Sequence, residues 1–116
     1  SPPGASCPVV EALRGVDFAI LVTEPTPFGL HDLKQIEGIV QELGIEAGVI
    51  INRDGIGSED TAAYCTSQNL PILMRIPMDI EIARGIAKGQ TLLETRPDFK
   101  QPFDELFALI TEGVAV

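Results

Sequence analysis

Three short runs of branched apolar residues constrain the fold more than any other feature of the chain: Phe18 to Val22, Gly48 to Ile51, and Ile72 to Ile76. Runs that are almost uniformly apolar are typical of strands buried on both faces. The segments between them have helical spacing, and strands that alternate with helices form parallel sheets. The sequence therefore predicts a three-layer α/β fold with a mostly parallel sheet.

The segment between the first two runs carries the strongest helical pattern. Its apolar residues recur at steps of three and four, which places them on one face of a helix that Gly44 ends; they are Leu30, Leu33, Ile36, Val40 and Leu43. Pro8 fits the first turn of a shorter helix that runs to Arg14.

Two further helices are predicted after the second and third runs. Ser58 is a candidate N-cap for a helix that continues to about Gln68, and another helix runs from about Asp79 to Lys88. A final apolar stripe, expected to lie on the sheet, consists of Phe103, Leu106, Phe107 and Ile110. The polar face of this last helix is acidic, whereas helices that lie on membrane surfaces prefer Lys and Arg.

Composition limits the classes of partner. The 116 residues correspond to one domain, and their net charge of −9 repels both nucleic acid and anionic membrane surfaces. No apolar run approaches the ~20 residues of a spanning helix, and no signal segment is visible, so a cytoplasmic location is expected. The cysteines Cys7 and Cys65 lie far apart and form neither a disulfide scaffold nor a complete metal site.

Two strings carry a family resemblance: the one from Pro2-Pro3-Gly4 through Val10, and the one from Thr23 through Gly29. They resemble the branch of the MinD/ParA group of deviant-Walker P-loop ATPases that carries an inserted ferredoxin domain, within the broader CobQ/CobB/MinD/ParA domains. The resemblance extends to about Glu94. It implies that the backbone N–H of Gly4 faces the γ-phosphate or the attacking water, although Pro2-Pro3-Gly4 is also an ordinary turn sequence.

Several parts of that family pattern are absent from these 116 residues. There is no Gly-rich Lys-Ser/Thr phosphate loop, no Asp before Ser1, and no Cys-x2-Cys-x2-Cys-x3-Cys spacing for a [4Fe-4S] cluster. The resemblance therefore implies that residues 1–116 are the C-terminal part of a MinD-like nucleotide-binding domain. ATP and Mg²⁺ would be held tightly only by the intact protein, and any cluster would belong to a ferredoxin module elsewhere.

The resemblance also implies nucleotide contacts at the ends of the second and third runs. Asn52, followed by Arg53, matches the asparagine whose carboxamide hydrogen-bonds the adenine edge, while a strand-terminal Asn that caps its loop is the alternative. Pro77 and Asp79 match the loop that closes over the adenine. For Asp79, a role as the N-cap of the following helix is the competing explanation.

Cys7 has two readings. In the related nitrogenase iron protein, a cysteine at a similar distance past the phosphate-sensing loop ligates a cluster shared across a dimer interface, so Cys7 is a candidate metal ligand there. The alternative is a small, buried apolar residue. Cys65, within a helical pattern, is expected in the core.

The segment after the first run supplies the candidate interface. In this ATPase group the corresponding loop and helix face a second subunit or a regulatory partner, which makes Glu24, Phe28, His31 and Asp32 candidate contacts in a homodimer. His31 is the single histidine and forms neither a metal site nor a catalytic triad by itself.

The resemblance implies a nucleotide-switched ATPase linked to iron–sulfur or metal-centre chemistry, with a metal or redox protein as a further partner. These residues alone are then expected to be inactive, because the phosphate loop, its lysine and Mg²⁺ supply the chemistry. The alternative is a regulatory or partner-binding half-domain without ATPase activity. A cobyrinate-type amide-transferring synthetase needs a downstream histidine that the sequence lacks.

Overall fold

The computed structural model describes residues 7–111. Its helices are α1 (Cys7–Leu13), α2 (Pro27–Leu43), α3 (Asp60–Ser67), α4 (Ile80–Ala87), α5 (Leu92–Thr95) and α6 (Lys100–Thr111). Its strands are β1 (Phe18–Thr23), β2 (Glu46–Asp54) and β3 (Ile72–Pro77), and a 3₁₀ helix covers Pro97–Phe99. The chain divides into two compact units, residues 1–76 and residues 77–116.

The three strands form a parallel sheet in the order β1-β2-β3, flanked by helices. The β1–β2 register places Phe18 opposite Glu46 and Thr23 opposite Ile51. The prediction of an α/β fold with a parallel sheet is confirmed. Because β2 is central, β1 has a hydrogen-bonded neighbour on one side only among the described residues.

The core of the first unit lies on one face of β1 and β2. Ala19 and Leu21 alternate with exposed residues along β1, whereas β2 is buried without interruption from Ala47 to Ile51 and contributes Val49 and Ile51 to the core. Their partners in the core come from α1, α2 and α3: Val9, Leu13, Leu33, Val40, Ala62 and Cys65. This cluster packs α1, α2 and α3 against the sheet.

Local signals explain most helix boundaries. Thr26 caps α2 by accepting a hydrogen bond from the Gly29 N–H at 3.0 Å, and Gly44 ends α2 in the left-handed conformation at φ 69°. Asp79 caps α4, where its Oδ1 accepts from the Glu81 N–H at 2.8 Å. The N-cap explanation of Asp79 is thereby confirmed.

Three expectations need correction. α3 begins at Asp60 with Glu59 at the N-cap, so Ser58 lies outside it, although the Ser58 hydroxyl accepts from the Asp60 N–H at 3.2 Å. In α6, Leu106 is buried but Phe107 is 70% exposed, so the final stripe is a narrow seam and not a broad apolar face. Cys7 is exposed, which contradicts the reading of a buried apolar residue, whereas Cys65 is fully buried as expected.

No helix within residues 7–111 combines the length and apolarity needed to cross a membrane.

Candidate functional site

Two loops meet at the carboxyl ends of β1 and β2. Glu24 in the loop after β1 pairs with Arg53 near the end of β2, with 3.4 Å between carboxylate and guanidinium. A β-carbon at Gly57 would lie 1.7 Å from the Pro25 carbonyl oxygen, so only glycine allows this approach. The two loops therefore form one continuous surface at the edge where open α/β sheets bind ligands.

Hydrogen bonds fix the first of these loops. The buried Thr23 hydroxyl donates to the Gly29 carbonyl at 3.1 Å, and a β-carbon at Gly29 would lie 2.5 Å from the Glu24 carbonyl oxygen. The last residue of β1 is thereby joined to the first turn of α2. This arrangement holds the loop in place without any contact from a ligand.

Asn52 lies half-buried near the end of β2. Its Oδ1 accepts a hydrogen bond from the Arg53 N–H at 2.9 Å, and Arg53 has a left-handed φ of 52°. An amide oxygen has two lone pairs and the amide nitrogen has two hydrogens, so Asn52 retains both a donor and an acceptor. The carboxamide can still make the paired hydrogen bonds that an adenine edge requires.

A groove of about 640 Å³, here called the β1 groove, runs along the free side of β1. Its volume falls within the ~300–1,000 Å³ of small-molecule sites. Apolar walls come from α1, α2 and β1, and polar groups gather at the carboxyl end of β1. The lining residues relevant to function are Ile20, Val22, Glu24, Phe28, Asp32 and Asn52.

The structure thus brings together four of the residues singled out from the sequence: Glu24, Phe28, Asp32 and Asn52. Arg53 is close to them through Glu24 but does not line the groove. His31 is exposed and lines a different, smaller recess.

Other candidates lie elsewhere in the chain. Pro77 ends β3 and is exposed. In the second unit, the two carboxylate oxygens of Asp79 are used by the α4 cap and by Arg96, whose guanidinium lies 2.6 Å away. Gly4 lies outside the described residues, so its predicted role has no structural counterpart here.

Thr23, Gly29 and Gly57 shape the site, yet the sequence interpretation gave none of them a role. The sequence pattern around Gly57 is too short for a dinucleotide fingerprint, and its importance comes from a contact with a loop more than thirty residues earlier in the chain. The contact made by Thr23 could have been predicted from the sequence, because a hydroxyl at the end of an apolar strand commonly bonds to the backbone of the following turn.

Behind the site, a polar cluster joins α2 to α3. The Tyr64 hydroxyl donates to the buried Glu37 carboxylate at 3.2 Å, and the Gln41 side chain donates to the other Glu37 oxygen. Burial, reinforced by the Glu37 charge, raises the pKa of Tyr64, and burial likewise raises the pKa of the Cys65 thiol. Both groups therefore remain protonated and structural near neutral pH.

No protein-family model matches the sequence. Uncharacterized protein MJ0579 of Methanocaldococcus jannaschii is 35% identical over 110 residues, which are 95% of this chain and 37% of that protein. Uncharacterized protein MJ0578 of the same organism is 22% identical over 97% of this chain and 38% of its own length. The chain therefore spans less than two fifths of the length of these relatives.

Among solved structures, the septum site-determining protein MinD of Pyrococcus horikoshii OT3, complexed with Mg-ADP, is similar at a TM-score of 0.69 and 28% identity. The match covers 90% of this chain and 45% of that one. Together with the parallel sheet and its helices, this similarity shows that the chain has a MinD/ParA-like fold of the P-loop NTPase type.

Proposed function

We propose that this chain provides the adenine-recognising side of an ATP-binding, nucleotide-switched P-loop ATPase. The observation that carries the proposal is the position of Asn52, which lines the β1 groove at the carboxyl end of the sheet and keeps a free donor and acceptor. The ion pair between Glu24, which lines the groove, and Arg53, which does not, would hold the Asn52 backbone in position. Pro77 and Asp79 remain candidates for the loop over the base.

The phosphate-binding half of the site would come from residues outside these 116. The sequence contains no Gly-rich Lys-Ser/Thr loop, and the relatives and the MinD structure are more than twice as long as the matched region. The free side of β1 supports this proposal, because β1 has no hydrogen-bonded neighbour there among the described residues and carries no charge. An additional strand would pair with this backbone edge and deliver the loop and its Mg²⁺. The same polypeptide would cover Ile20 and Val22, which are 41% and 65% exposed on the face of β1 opposite Ala19 and Leu21.

Calorimetry tests whether the phosphate-binding half of the site lies outside these 116 residues. Titration of the chain with ATP and Mg²⁺ should show no tight binding and no hydrolysis, since the lysine and backbone amides that grip the phosphates are absent. A submicromolar dissociation constant for the chain alone would contradict the proposal. It would favour a self-sufficient binding module instead.

Complementation supplies the positive test. Co-expression with a polypeptide that carries the phosphate loop should restore ATP hydrolysis, and Asn52→Ala should reduce the preference for ATP over GTP by roughly tenfold or more, the cost of losing a matched polar pair. Gln68→Ala is the matched control, because Gln68 is an exposed amide outside the β1 groove. A complex that hydrolyses neither nucleotide would favour the regulatory half-domain.

The link to metal-centre chemistry rests on Cys7. This thiol is exposed at the start of α1, and residues 7–111 contain no group of three or more His, Cys, Asp or Glu placed to hold a metal ion. Any cluster at Cys7 would thus need ligands from outside residues 7–111, and the proposal takes them from a second subunit, with Glu24, Phe28, His31 and Asp32 as the homodimer contacts. A [4Fe-4S] cluster in a ferredoxin module would be the redox partner.

Iron analysis and absorption spectra of the full-length protein test this link. Cys7→Ser should lower the iron content and the cluster absorbance, whereas Cys65→Ser should not remove a ligand because Cys65 is buried in the core. Equal cluster content in wild type and Cys7→Ser would rule out ligation by Cys7.

A further inference from the structure

A second cavity of about 190 Å³ lies between the first turns of α2 and α3; we call it the α2–α3 recess. It shares only Thr26 with the β1 groove. This volume is below the ~300 Å³ at which sites for drug-sized ligands begin. The recess therefore suits one small group.

Thr61 in the recess has unmet hydrogen-bonding capacity. Its side chain lines the cavity, the residue is only 2% exposed, and its hydroxyl has no hydrogen-bond partner within residues 7–111. The Thr61 backbone N–H, like other N–H groups of a first helical turn, has no partner within α3 and can donate to a bound group. Buried side-chain polar groups are almost always bonded, so the unused Thr61 hydroxyl indicates an absent acceptor.

Several groups with positive or partial positive charge border the recess. Lys34 and His31 line it, and Lys34 forms no ion pair within residues 7–111; its ammonium lies 5.4 Å from the Tyr64 ring centroid. The N-termini of α2, with 17 residues, and α3, with 8, add partial positive charge. Asp60 also lines the recess and opposes an anion.

We propose that the α2–α3 recess binds a phosphate-type oxyanion, either free phosphate or the phosphoryl group of a phosphomonoester. The Thr61 hydroxyl and N–H donate to its oxygens, and Lys34 supplies the opposite charge. Since the molecule as a whole carries a charge of −9, binding depends on these few groups and not on general attraction. The site is separate from Asn52, so it does not depend on the proposed ATPase role.

An NMR titration of the ¹⁵N-labelled chain tests this proposal. Sodium phosphate and phosphoserine are compared with sodium chloride at equal ionic strength, and the amide signals of Lys34 and Thr61 should shift saturably with one or both phosphates. Binding by both indicates recognition of a phosphoryl group on a larger molecule, and binding by phosphate alone indicates a free anion. Lys34→Gln and Thr61→Val should each weaken the affinity about tenfold or more, as for a lost hydrogen bond to a charged group.

Controls separate binding from folding. Lys88→Gln removes an exposed lysine from the second unit and should leave the affinity unchanged. Thr61→Val should raise the melting temperature in chloride buffer, because it replaces an unpartnered buried hydroxyl with a methyl group of similar size. Shifts that chloride reproduces, or that neither recess variant weakens, would overturn the proposal while leaving the role of Asn52 intact.

Discussion

At the scale of single residues, close backbone contacts determine the shape of the site. Gly57 touches the Pro25 carbonyl, Gly29 touches the Glu24 carbonyl, and Glu24 pairs with Arg53. None of these contacts can be predicted from the hydropathy or the periodicity of the sequence. The sequence identified Asn52 through a family resemblance, but the glycines that position the loops around it become evident only when the two loops are seen together.

Gly57→Ala should destabilise the first unit. The added β-carbon would lie 1.7 Å from the Pro25 carbonyl oxygen, so the loops must separate, at a cost of about 1–3 kcal/mol. Gly38→Ala is the control: a β-carbon there meets nothing within 4 Å in a helix interior, and alanine should stabilise by about 1 kcal/mol. Urea unfolding measures both. Equal effects of the same sign would show that the loops are not in contact.

Tyr64 should make stability depend on alkaline pH. Burial raises the pKa of Tyr64 above 10.0, so the unfolded chain loses this proton first. Its contribution is therefore complete below pH 10 and declines as pH rises through the folded-state value. Tyr64→Phe should show a smaller loss of unfolding free energy between pH 9 and 11 than wild type. Parallel pH profiles for the two proteins would contradict this assignment.

At the scale of elements, periodicity was sufficient for the long segments and insufficient for the short ones. The strands were predictable from nearly uniform apolar runs and α2 from three-to-four spacing, because both patterns reflect burial directly. α5 and the 3₁₀ helix span four and three residues, too few for periodicity, and depend on local bonds such as the Thr91–Glu94 capping box. In α6 the buried face is narrower than the apolar pattern predicts, because Leu106 is buried beside an exposed Phe107.

Two substitutions of Asp79 distinguish the contribution of the α4 cap to stability from that of the ion pair with Arg96. Asp79→Ala removes both the bond to the Glu81 N–H and the pair with Arg96, at a cost of about 1–2 kcal/mol. Asp79→Asn keeps a cap acceptor and loses the charge, so it should cost less than Asp79→Ala. It should also cost less than Arg96→Ala, because that change removes the Asp98 ion pair and the contact with the Phe99 ring as well. Thermal unfolding compares the three variants. If Asp79→Asn were as damaging as Asp79→Ala, the cap would contribute nothing.

At the scale of the whole molecule, the free side of β1 is the feature on which the proposed joining of the phosphate-binding half depends. The backbone edge of this uncharged strand has no partner among the described residues, and such an edge favours pairing with another strand. The resemblance implies that the phosphate-loop strand lies outside these residues, and a free β1 edge is what its absence would leave. The polar end of the β1 groove could not be predicted in detail, since it depends on how residues distant in sequence meet.

Val22→Lys should prevent the chain from joining the phosphate-loop polypeptide without impairing the folding of the chain itself. Val22 is 65% exposed, so a lysine there should change the stability of the chain by less than about 0.5 kcal/mol. The same change should prevent complementation by the phosphate-loop polypeptide, because the charge would be buried where that polypeptide covers the exposed face of β1. Val22→Thr is the matched control and should retain complementation. If Val22→Lys still complemented fully, the β1 edge would not be the joining surface.

The most direct test of the central claim is an NMR titration that follows the Asn52 side-chain amide. Adenosine monophosphate should shift that signal together with amides that line the carboxyl end of the β1 groove, and guanosine monophosphate should shift it much less. Shifts confined to other parts of the molecule, or equal shifts with both nucleotides, would contradict the assignment of Asn52 as the adenine-reading residue.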